Sequence, residues 1–293
     1  MRRPFYSLAW FKIGFVLSRL LPRPATQRLA EFLGQVGYAR NPAARAALRA
    51  NLQHVTDRDG AALQQLCHAN VAAFSRMLAD YFYTSMAAST RAEPLLEEWR
   101  GFENLEAARA RGKGIILVTA HLGNWELGGI LLSLRGLPMT VITLEEPTSE
   151  LTRWRDAHRR QLGIRTIAVG PGHDFAFVEM IQTLRRNEIV AMLVDRPYAG
   201  TGAAVQFFGR ATEFSTAPAL LWQHTDAAVL PAFVLQRGRG GYVSFADPPL
   251  PFTRAGNHRT ALLENTQCLA AYFEGIVRQY PEQWFNYVPI WNS

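Results

Sequence analysis

From residue 112 onward, short apolar runs alternate with longer amphipathic runs, and this alternation limits the folds open to the chain. Short apolar runs are typical of strands buried on both faces, and amphipathic runs are typical of helices. The strand-like runs are GIILVT, MTVITL, IRTIAV and EIVAMLVD, followed by the paired runs AVLPAFVLQR and GYVSFAD. The pattern predicts an α/β fold with a mixed central sheet flanked by helices.

The segment before this alternation has a helical pattern. We expect residues 25–293 to form one α/β domain, in which 25–95 are helical and 96–293 hold the α/β core. With 48% hydrophobic residues among 293, the chain is large enough to bury a substantial core.

Residues 1–24, MRRPFYSLAWFKIGFVLSRLLPRP, are aromatic-rich, apolar and basic. The apolar part is shorter than the roughly 20 residues that a spanning helix needs, and no small-residue cleavage site follows it. Lys12, Arg19 and Arg23 share one helical face, so we predict a helix that associates with the membrane surface. The alternative is an ordinary N-terminal helix packed on the core.

The net charge of +7, carried mostly by arginine, favours acidic partners such as anionic lipid head groups or an acidic carrier protein. No DNA-reading motif or aromatic ladder accompanies the arginines, so we expect no nucleic acid partner. No group of polar residues has metal-ligand spacing, and no glycine-rich nucleotide loop is present. We therefore expect no metal and no bound cofactor.

The stretch GIILVTAHLGNWELGG places His121 directly after a predicted strand and Glu126 in the first turn of the following helix. Loops at the carboxyl ends of strands form the ligand crevices of open α/β sheets. A turn through Gly123 can bring the Glu126 carboxylate to one ring nitrogen, which leaves the other nitrogen free to accept a proton. This predicts a general base and its orienting partner. The alternative is a histidine that only caps a loop.

No G-x-S-x-G elbow accompanies this pair, and neither cysteine lies in a comparable setting. The nucleophile is then expected to be a hydroxyl of a substrate, deprotonated as it attacks an activated acyl group.

TAHLGNWELGG closely resembles the H-x4-D/E block of the lysophospholipid acyltransferase superfamily, specifically its lipid A late acyltransferase branch of lauroyl and myristoyl transferases. GFENLEAARARGKGIILV, LRRNEIVAMLVDRPY and VQFFGRATEFSTAPALLWQHTDAAVLPAFV resemble further blocks of that family. The resemblance covers nearly the whole chain.

The resemblance implies an enzyme on the cytoplasmic face of the bacterial inner membrane. It would transfer a fatty acyl chain from a thioester of acyl carrier protein or coenzyme A to the hydroxyl or amine of a lipid A-type or glycolipid acceptor. His121 would be the general base and Glu126 its partner. The substrate-binding residues would be Asn124, Arg159, Arg160, Asp195, Arg196, Phe207, Phe208 and Gly209, the last three bordering the acyl groove.

The C-terminal sequence, YPEQWFNYVPIWNS, departs from the family because it lacks the usual cations after the P-E-Q-W turn. This departure weakens the case for a lipid A precursor and favours a glycolipid, aminolipid or lysophospholipid acceptor. Two other classes stay open. A thioester or ester hydrolase would release free fatty acid, and a non-catalytic lipid-binding protein would tolerate alanine at His121 and Glu126.

Overall fold

The computed structural model of the protein describes residues 7–86, 88–197, 200–238 and 240–291. The helices are α1 (Leu8–Leu20), α2 (Arg23–Ala39), α3 (Pro42–Thr56), α4 (Gly60–Ser85), α5 (Ala88–Arg91), α6 (Phe102–Ala110), α7 (Trp125–Leu134), α8 (Ser149–Gln161), α9 (Ala176–Arg185), α10 (Ala217–Thr225) and α11 (His258–Gln279). The strands are β1 (Leu96–Arg100), β2 (Ile115–Thr119), β3 (Met139–Leu144), β4 (Ile164–Val169), β5 (Ile189–Leu193), β6 (Gly202–Phe207), β7 (Arg210–Ser215), β8 (Ala228–Arg237) and β9 (Gly241–Ala246).

The central sheet has seven strands in the order β1-β9-β8-β2-β5-β3-β4. Strands β8, β2, β5, β3 and β4 are parallel, and β9 pairs antiparallel with β8. The predicted mixed sheet is therefore confirmed, although β1 was not predicted as a strand. Strand β6 forms a separate hairpin with β7.

Strand β2 lies at the centre and is buried along its whole length. Ile115 and Leu117 point into the apolar layer under α7, whereas Ile116 and Val118 point into the layer shared with α9, α10 and α11. Burial on both faces explains why the strand reads as an unbroken apolar run rather than an alternating one.

The turn that leaves β2 is fixed by glycine geometry. Gly123 has a φ of +66°, and a Cβ at this position would lie 2.2 Å from the Val234 carbonyl oxygen. Asn124 then caps α7, because its side chain accepts a hydrogen bond from the Leu127 backbone N–H. Together these features end the strand and start the helix within a few residues.

The N-terminal segment does not form one helix over residues 1–24. Residues 1–6 lie outside the described residues, α1 covers Leu8–Leu20, and α2 begins at Arg23. Phe11 and Phe15 on α1 pack against Phe82 of α4. Over the residues that the structure describes, no helix combines the length and apolarity that crossing a bilayer requires.

A buried carboxylate ties these helices to the sheet. Asp80 on α4 is 1% exposed and accepts hydrogen bonds from the Arg23 guanidinium at 2.8 and 2.9 Å. It also accepts from the Gln27 amide of α2 and from the Tyr242 hydroxyl of β9 at 2.6 Å. Asp80 thus joins α2, α4 and β9 through charge-assisted bonds.

We predict that Asp80→Ala lowers the free energy of unfolding by about 3 kcal/mol, because it leaves the Arg23 guanidinium without its carboxylate partner and the buried Tyr242 hydroxyl without its acceptor. Urea unfolding followed by circular dichroism measures the change. Glu98→Gln serves as the control, since Glu98 pairs with Arg100 on the surface and its loss should leave the unfolding curve unchanged. Equal effects of the two substitutions would contradict the prediction.

Candidate active site

His121 lies two residues beyond the end of β2, and Asp195 lies two residues beyond the end of β5. The two strands are parallel neighbours with Thr119 level with Leu193, so the two residues emerge side by side at the carboxyl edge of the sheet. The Asp195 Oδ1 atom is 2.8 Å from His121 Nδ1 and accepts the His121 backbone N–H at 3.0 Å.

This geometry fixes the tautomer of the ring. A carboxylate only accepts, so the proton lies on Nδ1 and Nε2 is the nitrogen with a free lone pair. Arg196 Nε also lies 3.1 Å from Nδ1. Because Nδ1 carries the proton, it cannot accept the Arg196 N–H, and the contact of Arg196 with the ring is electrostatic. Burial lowers the pKa of the His121 ring and Arg196 lowers it further, which together outweigh the opposing effect of Asp195. The ring is therefore held neutral, and its Nε2 atom can accept a proton.

The second oxygen of Asp195 is bound by the C-terminal segment. Asp195 Oδ2 accepts from Trp284 Nε1 at 3.0 Å and from Asn286 Nδ2 at 3.1 Å. Burial alone raises the pKa of Asp195, but its interaction with the His121 ring, the charge of Arg196 and the Asn286 hydrogen bond outweigh this effect and hold the pKa far below its ordinary value. Neither donor could be predicted from the sequence, because Trp284 and Asn286 lie 89 and 91 residues from Asp195 and no local pattern links them to it.

The predicted pairing of Glu126 with the His121 ring is wrong in the structure. Glu126 Oε1 instead accepts from Arg155 at 2.7 Å and from Arg159 at 3.0 Å, both on α8. The Asn124 cap sets the direction of α7, and the first turn then presents Glu126 to α8. Burial alone raises the pKa of Glu126, but the charges of Arg159 and Arg155 outweigh it and lower that pKa.

His121, Glu126, Arg159 and Arg196 line one large cleft with a volume of about 990 Å³. Apolar side chains dominate its walls and come from the sheet and from helices on both of its faces. Representative wall residues are Phe11, Met77, Tyr81, Trp125, Leu132, Val141, Phe177, Leu193, Leu220 and Phe233. A dyad at the rim of an apolar cleft of this size suits a substrate with a long hydrocarbon part.

Three of the predicted polar binding residues do not line the cleft. Arg160 is exposed on the outer face of α8, while Arg155 takes the place beside Arg159 in the cleft wall. Asn124 is fully buried as the cap of α7. Asp195, also predicted to bind substrate, is buried and contacts the ring rather than the open cleft.

The prediction that Phe207, Phe208 and Gly209 border the acyl groove is wrong in the structure. These residues form the turn between β6 and β7, and the Phe207 ring stacks at 5.8 Å on Trp291 of the C-terminal segment. The tight turn with Gly209 at a φ of +73° directs both phenylalanines into this aromatic cluster, away from the cleft. Across the described part of the chain, no group of His, Cys, Asp and Glu has the arrangement of a metal site.

Comparison with known proteins identifies the family. The chain belongs to the bacterial lipid A biosynthesis acyltransferase family, whose profile matches residues 1–293. It is 33% identical over 193 residues to a phosphatidylinositol mannoside acyltransferase of Mycobacterium tuberculosis (strain CDC 1551 / Oshkosh), covering 65% of this chain and 58% of the relative. Family membership, predicted from the HLGNWE block, is thereby confirmed.

Two more relatives have similar sequence identity to this chain. A phosphatidylinositol mannoside acyltransferase of Mycolicibacterium smegmatis is 27% identical over 282 residues, covering 96% of this chain and 90% of the relative. A lipid A biosynthesis acyltransferase of Haemophilus influenzae is 30% identical over 148 residues, covering 46% and 42%. The match to the tuberculosis relative thus spans little more than half of that protein.

Double-mutant cycles on stability can assign the partner of Glu126. We predict a coupling of about 1–2 kcal/mol between Glu126→Gln and Arg159→Met, because the two side chains share a partly buried ion pair. The coupling between Glu126→Gln and His121→Ala should stay below about 0.5 kcal/mol, since they share no hydrogen bond. Urea unfolding of the single and double variants gives both values. A larger coupling to His121 would restore the pairing expected from the sequence.

Proposed function

We propose that the protein is an acyltransferase that moves a fatty acyl chain from an acyl thioester to a hydroxyl of a membrane glycolipid. The observation that supports it most is the His121–Asp195 dyad on the rim of a large apolar cleft. Family membership and the names of the relatives add independent support for the reaction class.

The reaction uses the free nitrogen of the ring. His121 Nε2 takes the proton of the acceptor hydroxyl as its oxygen attacks the thioester carbonyl carbon. Negative charge develops on the carbonyl oxygen, and Arg196 supplies positive charge beside the ring. The C–S bond then breaks, and the imidazolium returns the proton to the leaving thiolate. Asp195 stays ionised throughout and stabilises the imidazolium.

The cation-bearing wall of the cleft suits an acceptor with a phosphate. Arg155 and Arg159 are each 8% exposed and are held in place by Glu126, with Glu146 accepting a second bond from Arg155 at 2.7 Å. Arginine forks bind phosphate in a defined orientation. In this proposal Glu126 acts by positioning the two guanidinium groups, and the acceptor is a phosphorylated glycolipid. The donor carrier is acyl carrier protein or coenzyme A.

The transferase test uses the purified protein with radiolabelled acyl thioester and a total bacterial lipid extract. His121→Gln should lower label transfer by about 10²–10⁴-fold, because glutamine is similar in size to histidine but has no basic nitrogen to accept the proton. His258→Gln, at an exposed position on α11, is the matched control and should transfer at the original rate. Label recovered as free fatty acid would support the hydrolase instead, and equal transfer by His121→Gln would remove the base from its role.

We also propose that α1 lies on the cytoplasmic membrane surface. Its outward face exposes Ile13 at 44%, Val16 at 55% and Leu20 at 72%, and the exposed cations Lys12 and Arg19 flank this stripe. The opposite face carries Phe11, which lines the cleft. An apolar stripe edged by cations suits an interfacial helix on anionic lipid, and it would bring the cleft to the membrane.

We predict that Val16→Asp with Leu20→Asp lowers binding to vesicles containing phosphatidylglycerol at least about tenfold, because two apolar contacts become repelled charges. Vesicle co-sedimentation measures the binding. Leu263→Asp, at a 43% exposed leucine of α11, is the control and should bind like the unmodified protein. Equal loss in the control, or no loss in the double variant, would assign the membrane contact elsewhere.

A further inference from the structure

The C-terminal segment after α11 is built into the site. The Phe285 backbone N–H donates to the His121 carbonyl at 2.6 Å, and the Gly123 N–H donates to the Gln283 carbonyl at 3.0 Å. Trp284 and Asn286, on either side of Phe285, are both fully buried and both donate to Asp195 Oδ2. The segment therefore pairs with the histidine loop and reaches under it to the carboxylate.

Two buried asparagines of the helical layer fix the segment. Asn70 on α4 donates to the Trp284 carbonyl at 2.8 Å, and Asn51 on α3 donates to the Asn286 carbonyl at 2.9 Å. Side-chain amides that bind backbone carbonyls hold the main chain in register, and the two donors are held with it. Neither Trp284 nor Asn286 lines the cleft, so their effect on the reaction must pass through Asp195.

We propose that Trp284 and Asn286 are positioning residues of the dyad, which fix the Asp195 carboxylate so that its other oxygen stays on His121 Nδ1. This inference rests on the proposed function for its catalytic part. With both oxygens of Asp195 engaged, the carboxylate cannot rotate, and the ring keeps Nε2 directed for proton transfer.

The two donors are neutral, and this matters for the electrostatics of the ring. The charged groups in contact with His121 are Asp195 and Arg196, while α7 presents Glu126, which is paired with arginines of α8. The other charged or titratable residues of the cleft wall are Tyr81, Glu145, Glu146, Arg155, Arg159, His173 and Asp174. Removing a neutral N–H from Asp195 leaves its negative charge less compensated, which favours the protonated ring.

The test compares Trp284→Phe and Asn286→Leu with two matched controls. Trp291→Phe removes an indole N–H from the same segment, where it donates to the Phe207 carbonyl. Asn265→Leu removes a buried amide that binds Thr253 far from the dyad. We expect each test variant to lower label transfer by about 10- to 100-fold. In each, the acid limb of the rate profile should move to higher pH, because the ring must be neutral to act. The controls should leave the limb in place.

A second measurement does not need turnover. Diethyl pyrocarbonate modifies neutral imidazole, and peptide mass spectrometry follows modification of His121 against His258 as an internal reference. The His121 profile should move to higher pH in Trp284→Phe and Asn286→Leu and stay in place in the controls. If the unmodified protein transfers no label but the profile still moves, the proposed function fails and the positioning role stands. The segment would have only a structural role if the modification profile of His121 did not move and the transfer rates fell equally at every pH. The same would follow if the controls lost as much activity as the test variants.

Discussion

The hydrogen bond between His121 and Asp195 joins the ends of two central strands, and the other contacts of the site are arranged around it. It exists because β2 and β5 are parallel neighbours in matched register, so the residues that follow them emerge together. Elements far apart in the sequence converge on this bond. The C-terminal segment supplies the second set of donors, and the helical layer holds that segment through buried asparagines.

Charge is separated into two groups along the cleft. The dyad combines one carboxylate, one imidazole and the flanking Arg196, with neutral donors completing the carboxylate's hydrogen bonds. The second group is the ion-pair network of Glu126 with the arginines of α8. In the proposed function, this division leaves proton transfer to the dyad and anion binding to the arginines of α8. It also explains why a carboxylate five residues after the histidine need not touch the ring.

The fold was largely predictable, because burial on both faces gives the central strands a continuous apolar pattern that length and spacing identify. His121 and Asp195 were both found at strand ends, where parallel α/β sheets place their ligand sites. Their pairing was not predicted, because the order of the strands in the sheet depends on which crossovers form. Nothing in the sequence around His121 and Glu126 indicates that β5 is the neighbour of β2. Trp284 was missed for the same reason, and the tail was considered only for the cations it lacks. The groove position of Phe207 failed because a hairpin turn buried it against Trp291.

The claim that Asp195, rather than Glu126, orients the ring can be tested directly by ¹⁵N NMR of the protein labelled in histidine. We predict that His121 is neutral near pH 7 with its proton on Nδ1. That pattern should persist in Glu126→Gln, whose carboxylate is replaced without touching the ring, and should be lost in Asp195→Ala. A pattern that survives Asp195→Ala but changes in Glu126→Gln would contradict the account and return the orienting role to the helix.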